Sequence, residues 1–109
     1  MAEFIRSPSQ SAPAMGILTD LYTVPTGFTA VVSTINVCNR SATLDLVRIA
    51  IAVGGAADDP KQYEVYDIEI DANQTIPITC GWTLGAGDVV RVRSNNGTCS
   101  FNLFKLERN

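Results

Sequence analysis

Residues 21–53 read LYTVPTGFTAVVSTINVCNRSATLDLVRIAIAV, three consecutive strands with their corners marked. Leu21 to Val24 is a short β-branched and aromatic run ended by Pro25-Thr26-Gly27, where proline presets φ and glycine accepts the positive φ that follows it. Phe28 to Asn39 comes next, with Val31, Ile35 and Val37 on one face and Ala30, Val32 and Cys38 on the other. Apolar residues on both faces predict an interior strand. Asn39-Arg40-Ser41-Ala42 forms a polar corner, after which Thr43 to Val53 carries Val47, Ile49, Ile51 and Val53 in phase. Leu44 and Leu46 fall on the opposite face beside Arg48, which predicts a partly apolar exterior patch, either covered or used in assembly.

The remainder of the chain completes the pattern. Residues 54–62 (GGAADDPKQ) form a loop by composition. From Tyr66 onward the even residues of Tyr63 to Ile70, namely Tyr66, Ile68 and Ile70, are expected to point inward. Thr75 to Trp82 aligns Ile76, Ile78, Cys80 and Trp82 on one face, and Pro77 predicts an edge strand. Asn96-Gly97 is a strong signal for a tight hairpin that would pair Val92 with Phe101 and Val90 with Leu103. About seven strands follow, with turn signals every 8 to 12 residues and no helical pattern. The expected fold is all-β, a single sandwich of about seven or eight antiparallel strands, either immunoglobulin-like or jelly-roll. Trp82 follows Cys80 instead of lying between two bridged cysteines, which favours the jelly roll.

Before this body, residues 1–16 (MAEFIRSPSQSAPAMG) are rich in Ser, Ala and Pro and lack strand or helix periodicity. They predict an extended N-terminal arm, with residues 17–109 as the sandwich domain. Such a segment buries too little of its own surface to offset its ordering entropy, so an ordered arm needs something to pin it. The candidates are its own domain or a neighbouring subunit, with the neighbour favoured and Phe4 and Ile5 as the apolar anchors.

Composition narrows the function. A chain of 109 residues is one domain, and 46% hydrophobic residues suffice for its core. Charged residues are only 17%, below the roughly 25% usual in soluble proteins, which suits a surface held against other proteins and equally a small β domain rich in Thr, Ser and Asn. The net charge of -3 and the scattered 8 basic residues argue against nucleic acid. No apolar run approaches the roughly 18 residues that span a bilayer, so no membrane partner is expected. The first residues lack the basic start and apolar middle of a signal peptide, and synthesis in a cytoplasm is expected.

Chemistry is sparse. There is no histidine, which removes Ser-His and Cys-His nucleophile pairs and the commonest general base, so no enzyme is expected. Cys38, Cys80 and Cys99 show no C-x-x-C spacing and read as small apolar core residues, with a disulfide or intersubunit link as the alternative. Asp67, Glu69 and Asp71 alternate as on a solvated strand face, although a calcium site or a carboxylate pair is conceivable. No catalytic, cofactor-binding or metal residues are assigned, and no cofactor is expected. Tyr66 and Trp82 are in phase with core positions, whereas Tyr63 is outward and is a candidate for a glycan contact.

Two phrases, LYTVPTGFTAVVSTINVCNRSAT over 21–43 and LGAGDVVRVRSNNGTCSFNLF over 84–104, resemble small virion structural proteins, decoration or tail-associated, of tailed bacteriophages and especially of cyanophages. The resemblance covers most of residues 21–104 and leaves the arm outside. It implies a non-enzymatic building block of a virion, made in the cytoplasm of a bacterial host. A capsid decoration or cement subunit is the leading expectation, docking on the major capsid protein or other virion proteins by the arm and an apolar sheet face. The alternative is a tail- or fibre-associated module that binds a host glycan through Tyr63 and residues 54–62. A homo-oligomer is expected, a trimer first, with Phe4, Ile5, Leu44 and Leu46 as interface residues.

Overall fold

The structure is a computed structural model that describes residues 2–109. Nine strands are found among them. β1 is Glu3–Ile5, β2 Ser9–Ser11, β3 Thr19–Thr23, β4 Thr29–Asn39, β5 Asp45–Ala52, β6 Tyr63–Ile70, β7 Thr75–Leu84, β8 Val89–Ser94 and β9 Cys99–Arg108. They form two antiparallel sheets packed face to face. The first runs β1-β9-β4-β7, with β2 also paired to β9, and the second runs β3-β8-β5-β6.

From β2 onward this is the jelly-roll order, in which successive strands alternate between sheets everywhere except at β5 and β6. The expected Asn96-Gly97 hairpin is therefore a crossing. β8 pairs with β3 and β5, whereas β9 pairs with β4 and the arm strands. Only Gly97 has positive φ, so the turn lacks the two left-handed residues of a type I′ hairpin. Alternation alone could not reveal this, because Val90, Val92, Phe101 and Leu103 point inward in either arrangement, and all four are fully buried.

The core lies between the sheets, with Val32, Ile35 and Val37 of β4, Val47 and Ile49 of β5, Ile70 of β6 and Phe101 of β9 completely buried. β4 lies between β9 and β7, so it is interior, and β7 with Pro77 is an edge, both as expected. Bulges on β4 and β6 change which residues face the core, whereas on β7 Ile76, Ile78, Cys80 and Trp82 keep one phase. On β4, Val32 pairs with Lys105 and Thr34 with Phe104, so Ser33 is an extra residue and the inward phase passes from Ala30 and Val32 to Ile35 and Val37. Val31 is thereby turned outward, away from Ile35 and Val37 with which it was grouped.

On β7 the shift lies between Thr79 and Trp82, where Gly81 takes φ +73°. On β6, Val47 pairs with Ile68 and Arg48 with Tyr66, leaving Asp67 as the extra residue with φ +56°. That inversion exposes Tyr66, contrary to the expected inward phase, while Ile70 keeps its place in the core. Val53 also leaves the expected core face, because the chain turns there into a short 3-10 segment, Val53–Gly55.

The N-terminal segment is pinned by its own domain. Ile5 pairs with Leu106 and Gln10 with Asn102, both on the chain's own β9, where a neighbour had been expected to provide the support. A main-chain ladder supplies the ordering that Ser- and Pro-rich side chains cannot.

Candidate functional site

Strand alternation divides the arm between two tasks. Phe4 turns inward at the end of the sandwich, its ring 5.7 Å from that of Phe28 in an edge-on contact and capped by the Arg6 guanidinium at 4.6 Å. Ile5 turns outward and is 92% exposed. Its register places it in one row with Leu106 of β9 and Val31 of β4, and Phe104 lies two residues along β9 on the same face. These four side chains line a shallow cleft of about 480 Å³ flanked by Arg6 and Arg108. The Ser33 bulge completes the row, since without it Val31 and Val32 would exchange faces.

Beneath the arm lies a buried polar cluster. Glu107, 4% exposed, accepts a hydrogen bond from the Tyr22 hydroxyl and another from Arg6 Nε at 2.8 Å. Lys105 Nζ donates to the Ser7 carbonyl and to Ser9 Oγ, both at 2.8 Å, and lies 4.9 Å from the Tyr22 ring. Burial pushes the Glu107 pKa up, but the bonds from Tyr22 and Arg6 and the nearby cations outweigh it and hold the carboxyl below its ordinary value. Tyr22 is raised by burial first and by Glu107 second, so it stays a neutral donor. The cluster fixes the segment that presents Ile5, and the exposed row is thus carried on a rigid base.

Leu44 and Leu46 belong elsewhere. Leu44, 39% exposed, sits in the corner between β4 and β5, where its carbonyl accepts from Asn96 Nδ2 at 3.0 Å. Leu46 is half-buried and pairs with Glu69 on the second sheet. Eight residues of β4 separate the Val31 level from Asn39, a distance of roughly 25 Å. The expected interface residues thus form two patches, one holding Ile5 and the other Leu44 and Leu46. The arm follows β9 and does not cover the second.

Tyr63 is half-buried at the start of β6, with its ring 5.1 Å from Tyr66 and perpendicular to it. The Arg48 guanidinium stacks over Tyr66 at 4.0 Å and is held by Asp67 through bonds of 2.6 and 3.1 Å. Arg48 in turn lowers the Asp67 pKa. Burial, and then Asp58, raises the Tyr63 pKa. Polar groups here engage one another, and one face of Tyr66 is already occupied by a cation. The outward alternation of Asp67, Glu69 and Asp71 is broken by this bulge, and among the described residues no group of three metal-ligating side chains converges.

Sequence patterning missed the outward row, because Val31 lay in a continuous Val-Val pair and Leu106 in the polar-rich end Lys105-Leu106-Glu107-Arg108. It also missed a second buried cluster at the opposite end. Asp45, fully buried, accepts from Ser94 Oγ, from Leu46 N at 2.8 Å and from Asn96 N at 2.9 Å. Asn39, 1% exposed, donates to the carbonyls of Thr43 and Ile70 and accepts from Thr98 Oγ1 at 3.0 Å. Cys99, also buried here, is a free thiol pushed up to about 12 by burial and by Asp45. Cys38 and Cys80 are free as well and only half-buried.

No family model matches the chain, and no curated protein matches it. Among solved structures, two crystal structures of a pentameric capsid protein isolated from metagenomic phage sequences are similar to it, one of them phased with iodide. Each is 19% identical, covers 94% of this chain and gives a TM-score of 0.43. The chain spans 59% of the first and 60% of the second.

Proposed function

We propose that this chain is a non-enzymatic structural component of a tailed-phage virion, a decoration or cement subunit that docks through the outer face of its first sheet. The observation that carries the reading is the row Ile5, Leu106, Val31 and Phe104. It holds the most exposed large apolar side chain among the described residues and rests on an arm clamped by Glu107 and Lys105. Each large aliphatic side chain removed from water contributes roughly 1.5–3 kcal/mol, so burial of Ile5 with a neighbour such as Leu106 is enough to anchor a contact repeated by symmetry. The phrases at 21–43 and 84–104 that resemble virion proteins support the same reading.

Partners in this reading are the major capsid protein or other virion proteins, together with sister copies in a symmetric homo-oligomer, a trimer first. Leu44 and Leu46 then form a separate, smaller contact, and Phe4 acts from inside by holding the arm. The test is quantitative mass spectrometry of density-gradient-purified particles of the encoding phage, with a gold-labelled copy imaged on them. The reading predicts a fixed ratio to the major shell protein and labels on heads. Labels confined to tails favour the tail- or fibre-associated alternative, and absence from purified particles refutes both.

A further inference from the structure

The first sheet ends at β7 and the second at β6, so the sandwich is open along that side. Two adjoining clefts lie there, of about 370 and 470 Å³, sharing Ile51, Val53, Lys61 and Gln62. Trp82 and Glu64 complete the first of them. Ile51 and Trp82 pack against the core cluster and supply an apolar wall, while Lys61 and Glu64 put both signs of charge at the mouth.

Gln62 is the informative residue. It is 6% exposed, and its Nε2 donates to the Ala57 carbonyl at 2.9 Å, which fixes the orientation of the amide. Its Oε1 is buried without a hydrogen-bond partner, and no other buried side-chain nitrogen or oxygen among the described residues shares that state. An unmet buried acceptor costs about 1–3 kcal/mol, and a Met or Leu at this position would avoid the cost. Tyr63, the next residue, points to the other face of the same excursion, where Arg48 and Asp67 already satisfy each other.

We infer that this cleft binds a neutral sugar residue, with a pyranose laid against Trp82 and Ile51 and a hydroxyl donating to Gln62 Oε1. A pyranose combines an apolar face with hydroxyls that donate and accept, which matches an indole, an amide acceptor, an ammonium and a carboxylate around one opening. An extended peptide fits less well, because its main chain needs an uninterrupted edge and β7 carries Pro77 and the Gly81 bulge. The site belongs to the isolated chain and stands whether or not the chain docks on a virion.

Trp82 is the only tryptophan, so its emission reports on this cleft alone. The experiment titrates the full chain with the methyl pyranosides of glucose, galactose, mannose and N-acetylglucosamine, following tryptophan emission and ligand-observed saturation-transfer NMR. At least one sugar is expected to give a saturable response in both. Gln62→Met is expected to weaken it at least tenfold without lowering the melting temperature. Glu64→Gln, at an exposed position, is expected to weaken it several-fold at an unchanged melting temperature, and Tyr63→Ala to leave it unchanged. No response to any of the four sugars overturns the inference. So does binding that survives Gln62→Met and Glu64→Gln, or that is lost in Tyr63→Ala alone.

Discussion

Replacing Asp45 by Asn changes one buried atom and tests whether the carboxylate organises the turn between β8 and β9. In the native chain Oδ1 accepts the Leu46 and Asn96 amides at 2.8 and 2.9 Å, and Oδ2 accepts the Ser94 hydroxyl. Ser94 Oγ itself accepts the Thr98 and Cys99 amides, both at 3.1 Å, so its proton has to go to Asp45. An Asn keeping its oxygen on the Leu46 side presents an NH2 to a hydroxyl that already accepts two protons. Two buried donors then lose their acceptor, at about 1–3 kcal/mol each, and we expect a destabilisation of about 3 kcal/mol at pH 7.

For a domain of this size that lowers the melting temperature by roughly 12–15 °C, readable by circular dichroism together with urea titration. The pH profile adds a second reading. Burial raises the Asp45 pKa, but the bonds from Ser94, Asn96, Cys99 and Leu46 outweigh it and leave the folded value below the ordinary one. A depressed carboxylate contributes stability above its unfolded pKa of about 3.9 and loses it as pH falls through the folded value. The gap between wild type and Asp45→Asn should therefore narrow progressively below about pH 4. A difference under about 0.5 kcal/mol at pH 7, or a gap that does not change with pH, refutes the reasoning.

Three further outcomes are expected. Gly97→Ala should destabilise by about 2–3 kcal/mol in the same urea titration, since φ is +72° and an added Cβ would lie 2.8 Å from Met15 N and 3.0 Å from Met15 Cα. Cys99 should resist iodoacetamide at pH 8 in the folded chain and react only after unfolding, as peptide mapping by mass spectrometry will show. Tyr22, with its pKa raised by burial and by Glu107, contributes stability that is complete below about pH 10 and is lost as pH rises above it. Tyr22→Phe should remove that alkaline loss while costing about 1–2 kcal/mol at pH 7, because Glu107 loses a donor.

Much of the sandwich was legible in the sequence because its strands are β-branched runs separated by turn residues. The edge position of β7 was legible from Pro77, and the interior position of β4 from apolar residues on both faces. What escaped depends on non-local pairing. The Asn96-Gly97 turn has the local chemistry of a hairpin, and only the partners of β8 and β9 reveal that it crosses between sheets. The bulges on β4 and β6 each invert a phase at one residue, and Ser33 and Asp67 carry no signal that distinguishes them from ordinary outward positions. Alternation alone therefore places Tyr66 in the core and Val31 with Ile35. Ile5 was legible as an apolar anchor, yet its companions Leu106 and Phe104 come from the far end of the chain. The buried acids Asp45 and Glu107 were unreadable because their donors, Ser94 and Tyr22, lie 49 and 85 residues away.

The exposed row over the clamped arm is the docking surface we propose. It is tested by cosedimentation of the purified chain with heads of the encoding phage from which this protein has been stripped, comparing wild type with Ile5→Ser, Phe104→Ser. Both substitutions fall on exposed side chains and should leave the melting curve within a few degrees of wild type. Wild type is predicted to pellet with the heads to a fixed saturating ratio, and the double variant to bind at least about 100-fold more weakly, since two large apolar side chains at roughly 1.5–3 kcal/mol each are lost from the contact. Equal binding by the two proteins would contradict the assignment of this face as the docking surface.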